Sequence, residues 1–308
     1  MYIVSQNKKL TYRLRDFFIR YTNNFWRLII VNLLFCIPLS MFTGISILLM
    51  NSIHQFNIYI IALVIPVMSP FFAALNHICK KVTLNQKIQP LKDFGRGIKN
   101  NWKFFLVNSL FIYIIGIGLW ITFSFYRDFA GDGNMMITAS IIISLIVAVL
   151  FMLMEFTIQV MAVSVELRPI QILKNSVFLI IGGFTYHLKT LISLFLVFCL
   201  LYTIVQISVT PVIAIILTGI LTLLLLPVLI VYIIVFNSYQ IVEKNVITPY
   251  MNEHKSPKNN EIKTKQYTYE ELLQLSKGNP DEYVSVGGRM LKRSTVAKMA
   301  DAHKNDIS

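Results

Sequence analysis

Charged side chains are scarce in this sequence. They make up 14% of its 308 residues, against about 25% in ordinary globular proteins. Apolar side chains make up 56%, and several runs of them reach the length of about twenty residues that an α-helix needs to cross a bilayer. The two soluble domains that the length alone would suggest are therefore excluded. The composition predicts an all-α membrane protein with several transmembrane helices.

Cysteine and histidine are few and scattered. The three cysteines lie within or at the end of apolar runs, at Cys36, Cys79 and Cys199. The histidines at the ends of such runs lack the spacing of metal ligands; they are His54, His77 and His187. Because no further ligands cluster near the cysteines, we interpret them as packed thiols rather than as a disulfide or a metal site.

Catalytic motifs are missing as well. The sequence contains no phosphate-binding loop, no nucleophile with an adjacent base and no paired catalytic carboxylates. We therefore expect a protein that is not an enzyme and that uses no metal and no cofactor.

The sequence has 15 acidic residues but 28 Lys and Arg residues, which gives a formal net charge of +13. In a membrane protein, basic residues mainly report topology and attraction to anionic lipid, so membrane lipid is expected as a partner and nucleic acid is not.

Segments 1–27, 80–103 and 166–189 contain sixteen Lys or Arg, whereas the opposite loops contain only Arg127. This asymmetry predicts a multi-pass protein of the cell membrane with both termini in the cytoplasm. The 27 residues before the first apolar run carry six basic side chains. This stretch is too long for the start of a signal peptide and has no small-x-small cleavage site, so we expect no cleavable signal.

Six apolar runs are predicted to span the membrane, at about 28–50, 58–79, 104–126, 137–165, 189–208 and 211–237. Proline interrupts the first two runs, which membrane helices tolerate because neighbouring helices satisfy the freed backbone groups. Together the six runs form a membrane domain over 28–240, followed by a charged linker over 241–265.

One stretch of about twelve residues occurs twice in the sequence in similar form. NFWRLIIVNLLF at Asn24–Phe35 resembles NNWKFFLVNSLF at Asn100–Phe111. In both, an aromatic-basic pair precedes an apolar run that contains a second asparagine; the pairs are Trp26-Arg27 and Trp102-Lys103, and the asparagines are Asn32 and Asn108. We interpret the chain as parallel helical hairpins, with the two pairs as anchors at the membrane interface.

An apolar stripe at helical spacing precedes each of these units. Leu14, Phe17 and Tyr21 correspond to Leu91, Phe94 and Ile98, which predicts amphipathic interfacial helices within 1–27 and 80–103. For the first helix, packing on protein is an alternative. A third repeat is suggested by a further stripe at Val177, Ile180, Phe184 and Leu188.

Glu155 is the sharpest candidate for a functional site. It lies near the middle of the fourth run, with Gln159 one turn away on the same helix face. A carboxyl at the bilayer centre costs several kcal/mol, so it should face protein or water. It is either a proton- or cation-coupled site or a hydrogen-bonded packing group. For Asn32 and Asn108, hydrogen bonds between helices are a sufficient explanation, and a ligand contact is the alternative.

The tail over 266–308 is predicted to form a small cytoplasmic helix-hairpin-helix element. Tyr269–Leu275 has helical character, Gly287-Gly288 suits a two-residue hairpin turn, and Ser294 or Thr295 could cap a final helix over Val296–His303. The alternative is a solvated tail without a stable fold.

The first run, from Asn32 through Pro38 to Thr43-Gly44, resembles a motif of the YesL-like bacterial membrane proteins, which contain domain of unknown function 624. The segment KDFGRGIKNNWKFF and the pair Lys174-Asn175 are similar to later motifs of that family. The resemblance covers roughly residues 14–240 and implies a bacterial, largely Gram-positive protein of unassigned activity that accompanies carbohydrate-uptake systems. From it we expect an accessory or regulatory component of a transport system. The alternative is a small secondary transporter that uses Glu155.

Overall fold

The computed structural model describes residues 12–53, 57–129, 135–208, 210–249, 269–286 and 289–305. The first half of the chain forms α1 (Leu14–Asn23), α2 (Phe25–Ile53), α3 (Ile58–Ala62), α4 (Val64–Thr83), α5 (Pro90–Phe129) and α6 (Met135–Ser164). The second half forms α7 (Pro169–Gly182), α8 (Phe184–Ile207), α9 (Pro211–Leu224) and α10 (Leu226–Val242), with a π-helical turn at Glu243–Ile247. The tail contains α11 (Tyr269–Ser276), β1 (Tyr283–Val286), β2 (Arg289–Lys292) and α12 (Arg293–Asn305).

Six helical segments within the described residues are long and apolar enough to cross a membrane. They are Phe25–Ile53, Ile58–Thr83, Pro90–Arg127, Ile137–Ser164, Phe184–Ile207 and Leu226–Ile247. This confirms the prediction of a helical protein with the composition of a multi-pass membrane protein. It also gives the same number of candidate spans as the sequence does.

The predicted bounds of the sixth span, 211–237, are wrong. The structure divides this run into α9 and α10, with Leu225 between them at φ −142° and ψ −44°. Pro227 supplies the physical reason, because it has no N–H to donate to the carbonyl of Leu223 and its ring crowds that carbonyl. The run predicted as the sixth span is therefore two helices, and we call α9 together with α10 the broken sixth span.

The second predicted interfacial helix is not a separate element. Residues 91–103 form the first turns of α5, which continues without a break for 40 residues. In the first repeat, by contrast, α1 ends at Asn23 and α2 begins at Phe25, with Asn24 in a non-helical conformation between them. The side-chain amide of Asn24 donates to the carbonyl of Arg20 at 2.9 Å. The two repeats are thus similar in sequence but differ in whether the helix is interrupted.

The apolar face of α1 is divided between protein and the outer surface. Phe17 stacks on Tyr232 with ring centroids 4.7 Å apart, and Tyr21 lies 5.5 Å from the same ring. Leu14 and Phe18, on the adjoining side, are exposed. Packing on protein, the alternative for this helix, therefore describes the side with Phe17 and Tyr21, whereas the side with Leu14 and Phe18 is exposed.

The stripe suggested as a third repeat does not form a buried face. Val177, Phe184 and Leu188 are exposed. The buried residues of α7 and α8 lie on a different side, at Ile172, Ser176, Leu179, His187 and Thr190. Between the two helices, Gly183 lies so close to α10 that an added Cβ would be 1.6 Å from Cδ1 of Ile241. Packing on α10 thus decides which side is buried. Of the four stripe residues only Ile180 is half-buried, against a cluster of Leu153, Phe156 and Ile234.

Burial is concentrated at one end of the bundle. We call it the basic end; it comprises α1, residues 80–103, residues 165–190 and the last turns of α10. In the most apolar stretch of α10, 67% of the residues are buried. In the corresponding stretches of α6 and α8, only 6% of the residues are buried. The core lies around α10 at the basic end, and the α5–α6 and α8–α9 hairpins extend away from it with their apolar side chains uncovered.

The tail folds as a helix, an antiparallel two-stranded hairpin and a second helix. Its own small core contains Leu272, Val284, Leu291, Val296 and Ala300. The last helix begins at Arg293 instead of Val296, directly after β2, so Thr295 lies inside the helix and does not cap it. The predicted turn, Gly287-Gly288, and most of the predicted linker lie outside the described residues.

This tail unit contacts the bundle at the segment between α6 and α7. Val165 forms a parallel bridge with Met290, and the Glu166 N–H donates to the Met290 carbonyl at 2.7 Å. The Glu166 carboxylate accepts from the Lys292 N–H and from the Thr295 hydroxyl, both at 3.2 Å. Glu166 thus holds β2 and the start of α12 against the basic end.

Candidate functional site

Glu155 lies inside the bundle, where α6 packs against α5. It is 7% exposed, and its Oε2 accepts a hydrogen bond from Nδ2 of Asn108 at 2.8 Å. The Gln159 side chain, one turn further along α6, lies close enough to interact with the same carboxyl, as the helical spacing of the two residues predicts. The structure therefore brings together three of the predicted polar residues from two helices.

Asn76 of α4 extends this group to a third helix. Its Nδ2 donates to Oε1 of Gln159 at 3.4 Å and to the Phe72 carbonyl at 3.0 Å. We call Asn108, Glu155, Gln159 and Asn76 the polar chain. Asn76 is fully buried, and among the described residues its Oδ1 has no hydrogen-bond partner.

The polar chain converges on the Glu155 carboxyl. Asn76 donates to Gln159, Asn108 donates to the carboxyl of Glu155, and the Gln159 side chain lies close enough to that carboxyl to interact with it. Amide groups that donate to a buried carboxyl lower the cost of burying it. The arrangement fits a carboxyl that joins three spans, and also a carboxyl that exchanges a proton inside the membrane.

Asn32, the fourth predicted site residue, lies elsewhere. Its Nδ2 donates to the carbonyls of Thr222 and Leu223, both at 2.8 Å, and its Oδ1 accepts from the Val228 N–H at 3.0 Å. These backbone groups lie on the two sides of the break between α9 and α10. One side chain of the first span thus satisfies polar groups that the broken sixth span leaves without helical partners.

Sequence reasoning missed Asn76 and Lys80. Lys80, one turn after Asn76, is 4% exposed, and its Nζ donates to the Val163 carbonyl at 3.0 Å. The available signal was the polar type of both residues at the end of an apolar run. Their contacts depend on α4 lying beside α6, which the sequence did not specify.

The predicted interfacial anchors lie at the surface of the basic end. Trp26 is 77% exposed and Trp102 is 40% exposed. Lys103 places its Nζ 5.8 Å from the centre of the Trp102 ring, within the range of a cation–π interaction. Arg27 donates to Oδ1 of Asn24 at 3.4 Å.

A further polar contact joins the start of the described chain to the end of α10. Tyr12 donates its hydroxyl to a carboxylate oxygen of Glu243. Burial and the neighbouring Glu243 carboxylate raise the pKa of the Tyr12 phenol well above its ordinary value. Tyr12 therefore remains a protonated donor, and this contact helps to fix α1 on α10.

Within the residues described, no group of three His, Cys, Asp or Glu side chains is arranged to bind a metal ion. His187 is buried beside Phe156, with ring centroids 6.4 Å apart. Among the described residues, neither ring nitrogen of His187 has a hydrogen-bond partner. The Leu179 backbone nevertheless lies close enough to interact with the ring.

No protein-family model, no curated protein and no solved structure matches this chain.

Proposed function

We propose that this chain is a non-enzymatic protein of the bacterial cell membrane that associates with a transport system, such as one for carbohydrates, and regulates it. In this proposal both termini are cytoplasmic, and the spans are arranged as parallel hairpins. The orientation follows from the basic residues, and the carbohydrate system follows from the YesL-like resemblance.

The observation that carries the proposal is the uncovered apolar surface of two hairpins. The α6 and α8 helices bury only 6% of the residues in their most apolar stretches. In a membrane, spans associate through close packing rather than through hydrophobic burial. Helices with so few internal contacts have their lateral faces available to the spans of another protein.

The polar groups support the same proposal. Asn108 and Gln159 both interact with the carboxyl of Glu155, and Asn32 binds backbone groups on the two sides of the break between α9 and α10. Side chains that are engaged in this way hold spans together. The tail unit, docked at the basic end, adds a polar surface for a cytoplasmic subunit.

Purification from native membranes is the test. The full chain should co-purify with the components of a transport system, and it should not transport a labelled solute alone in liposomes. A variant in which two exposed residues of α8, Phe195 and Phe198, are changed to Ala should lose the partner. In the matched variant, the exposed residues Phe123 and Phe125 of α5 are changed to Ala. This variant shows whether the change of any uncovered apolar face is enough to lose the partner. Recovery of the wild-type chain without transport components would contradict the proposal.

A small secondary transporter is the second candidate, because a broken helix and a buried carboxyl occur in the same bundle. Transporters bind substrates and coupling ions at interrupted helices near the middle of the membrane. Here the interruption is at Leu225, and Glu155 is the buried acid. Uptake of a labelled sugar by the purified protein in liposomes, lost in Glu155→Gln, would favour this candidate over the first.

A further inference from the structure

The first turns of α5 form a stripe of positive charge. Lys92, Arg96, Lys99 and Lys103 follow one another at intervals of four, three and four residues, so they lie on one side of the helix. All four are exposed. At a rise of 1.5 Å per residue the stripe extends for roughly 16 Å along the helix. We call these four residues the α5 stripe.

The opposite side of the same turns is fixed on α4. Asp93, Phe94 and Asn101 are buried, and the Asp93 carboxylate accepts from Nζ of Lys81 and from the Gln89 N–H, both at 2.7 Å. Gly97 lies against α4 so closely that an added Cβ would be 2.6 Å from Cα of Ala74. The backbone below the stripe is therefore held in place by packing and by hydrogen bonds.

Three carboxylates of the basic end are already engaged. Asp93 pairs with Lys81, Asp16 accepts from the Arg13 N–H, and Glu166 binds the tail unit. In the part of the chain that the structure describes, no ion pair involves a residue of the α5 stripe. Its charge is thus directed outward to a partner that is not a side chain of these neighbours.

The length of α5 brings the stripe to the layer of the lipid headgroups and just beyond it. Forty residues correspond to roughly 60 Å of helix, about twice the thickness of the hydrocarbon core. The apolar run begins just after Trp102, an exposed residue of the type that marks the membrane interface. Counted back along the helix from residue 104, Lys103 and Lys99 lie within the headgroup layer, which is about 5–8 Å thick on each side. Arg96 and Lys92 lie roughly 12–18 Å from the same point, which is within about one Debye length of the outer edge of that layer.

We propose that the α5 stripe is a binding site for the phosphate groups of anionic phospholipids. Lys103 and Lys99 can contact headgroup phosphates directly, and the negative potential of an anionic surface attracts Arg96 and Lys92 from about one Debye length away or less. This inference is independent of the proposed function, since it concerns lipid and not a transport partner.

The test compares lipids on the full-length protein in neutral detergent micelles. Added phosphatidylglycerol should raise the midpoint of thermal unfolding, and added phosphatidylcholine should not. The variant with Lys92→Gln, Arg96→Gln and Lys99→Gln should bind phosphatidylglycerol roughly 10-fold more weakly, because a cation at an anionic surface contributes about a fivefold factor and this factor falls with distance for Arg96 and Lys92. Lys103 is retained because it also contacts Trp102.

The control removes the same charge from elsewhere. Lys244, Lys277 and Lys298 are exposed, and their replacement by Gln should leave the response to phosphatidylglycerol unchanged. The exchanges Lys92→Arg, Arg96→Lys and Lys99→Arg keep the charge and should keep the response, which separates lipid binding from a folding defect.

Three results would overturn the inference. The first is an equal loss in the stripe variant and the control variant, since that indicates a general charge effect. The second is an unchanged response in the stripe variant. The third is an equal stabilisation by inorganic phosphate or by polyglutamate at the same charge concentration, since that assigns the stripe to soluble anions or to acidic proteins.

Discussion

At the scale of single residues, Asn32 and Asn108 have the same place in a repeated sequence but different roles. Asn108 binds a carboxyl on α6, and Asn32 binds backbone groups of α9 and α10. The repeat predicted that both side chains would be polar and buried. It could not predict their partners, because these belong to helices outside the repeat.

Replacing Asn32 by Leu should destabilise the protein by about 2 kcal/mol or more. Two carbonyls and one N–H at the break in the sixth span would lose their partner inside the bundle, and each buried unsatisfied group costs about 1–3 kcal/mol. The midpoint of thermal unfolding in detergent measures the effect. Ser40→Ala, at an exposed position of the same helix, is the control. Equal midpoints for the two variants would contradict the role assigned to Asn32.

Replacing Glu155 by Gln tests whether this carboxyl is a packing group. A glutamine has the same shape and retains an oxygen for the Asn108 amide, so expression and unfolding should change little. Glu155→Ala should be clearly less stable, because it removes the hydrogen bonds and leaves a cavity. If both variants are stable but association with a transport system is lost, Glu155 has a role beyond packing.

The candidate site was predictable from the sequence only in part. The spacing of Glu155 and Gln159 placed both on one helix face, and their side chains do interact. Asn76 joins them from α4, and Lys80 binds the end of α6. These contacts depend on which spans are neighbours, and hydropathy patterns hold no information on the order of helices around a bundle.

At the scale of helices, the number of long apolar segments was predictable and some of their ends were not. Apolar length identifies spans because the bilayer sets a minimum. The break at Leu225 has a local cause in Pro227, and a hydropathy pattern does not show the effect of a single proline in an apolar run. By contrast, α5 continues through residues 91–103, where the change from polar to apolar side chains had suggested two helices.

Two neighbouring glycines of α5 should respond in opposite directions to the same substitution. Gly97→Ala would place a methyl group 2.6 Å from Cα of Ala74, and such overpacking costs about 1–3 kcal/mol. Gly95→Ala meets nothing within 4 Å and should stabilise the helix by about 0.5–1 kcal/mol. Unfolding midpoints of the two variants check this. Two shifts of the same sign would show that α4 and α5 do not approach each other as closely as described.

At the scale of the whole molecule, the tail is a folded unit that adds a strand contact to a helical bundle. The order of helix, hairpin and helix follows from local signals such as turn residues and apolar spacing. Its position on the bundle depends on Glu166, a residue that gave no signal in the sequence. A single carboxylate in the connection between two helices does not indicate a contact by itself. Only the fold shows that β2 lies beside Glu166.

Replacing Glu166 by Ala should release the tail unit from the bundle. The change removes the acceptors of the Lys292 N–H and of the Thr295 hydroxyl, although the Glu166 backbone bond to Met290 can remain. Hydrogen–deuterium exchange should become faster over 289–292 in the variant. Glu270→Ala, at an exposed position of α11, should leave exchange unchanged. Unaltered protection over 289–292 in Glu166→Ala would argue against the contact.

The orientation of the whole bundle can be tested with single cysteines in a cysteine-free background. Cysteine at Asn51, at the end of α2 away from the basic end, should react with an impermeant thiol reagent on intact cells. Cysteine at Lys87, at the basic end, should react only after the membrane is opened. Both positions are exposed, so a reversed labelling pattern would mean that the basic end faces outward.

The contact of Asn32 with the broken sixth span also sets an order of events during biosynthesis. The side chain enters the membrane with the first span, but the Thr222 carbonyl that it binds is 190 residues further along the chain. At a synthesis rate of about 5–20 residues per second, this amide waits roughly 10–40 seconds for its final partner. During that interval it needs a temporary hydrogen-bond partner, such as water, a lipid headgroup or the insertion machinery. The first hairpin therefore cannot reach its final packing until the last one has been made.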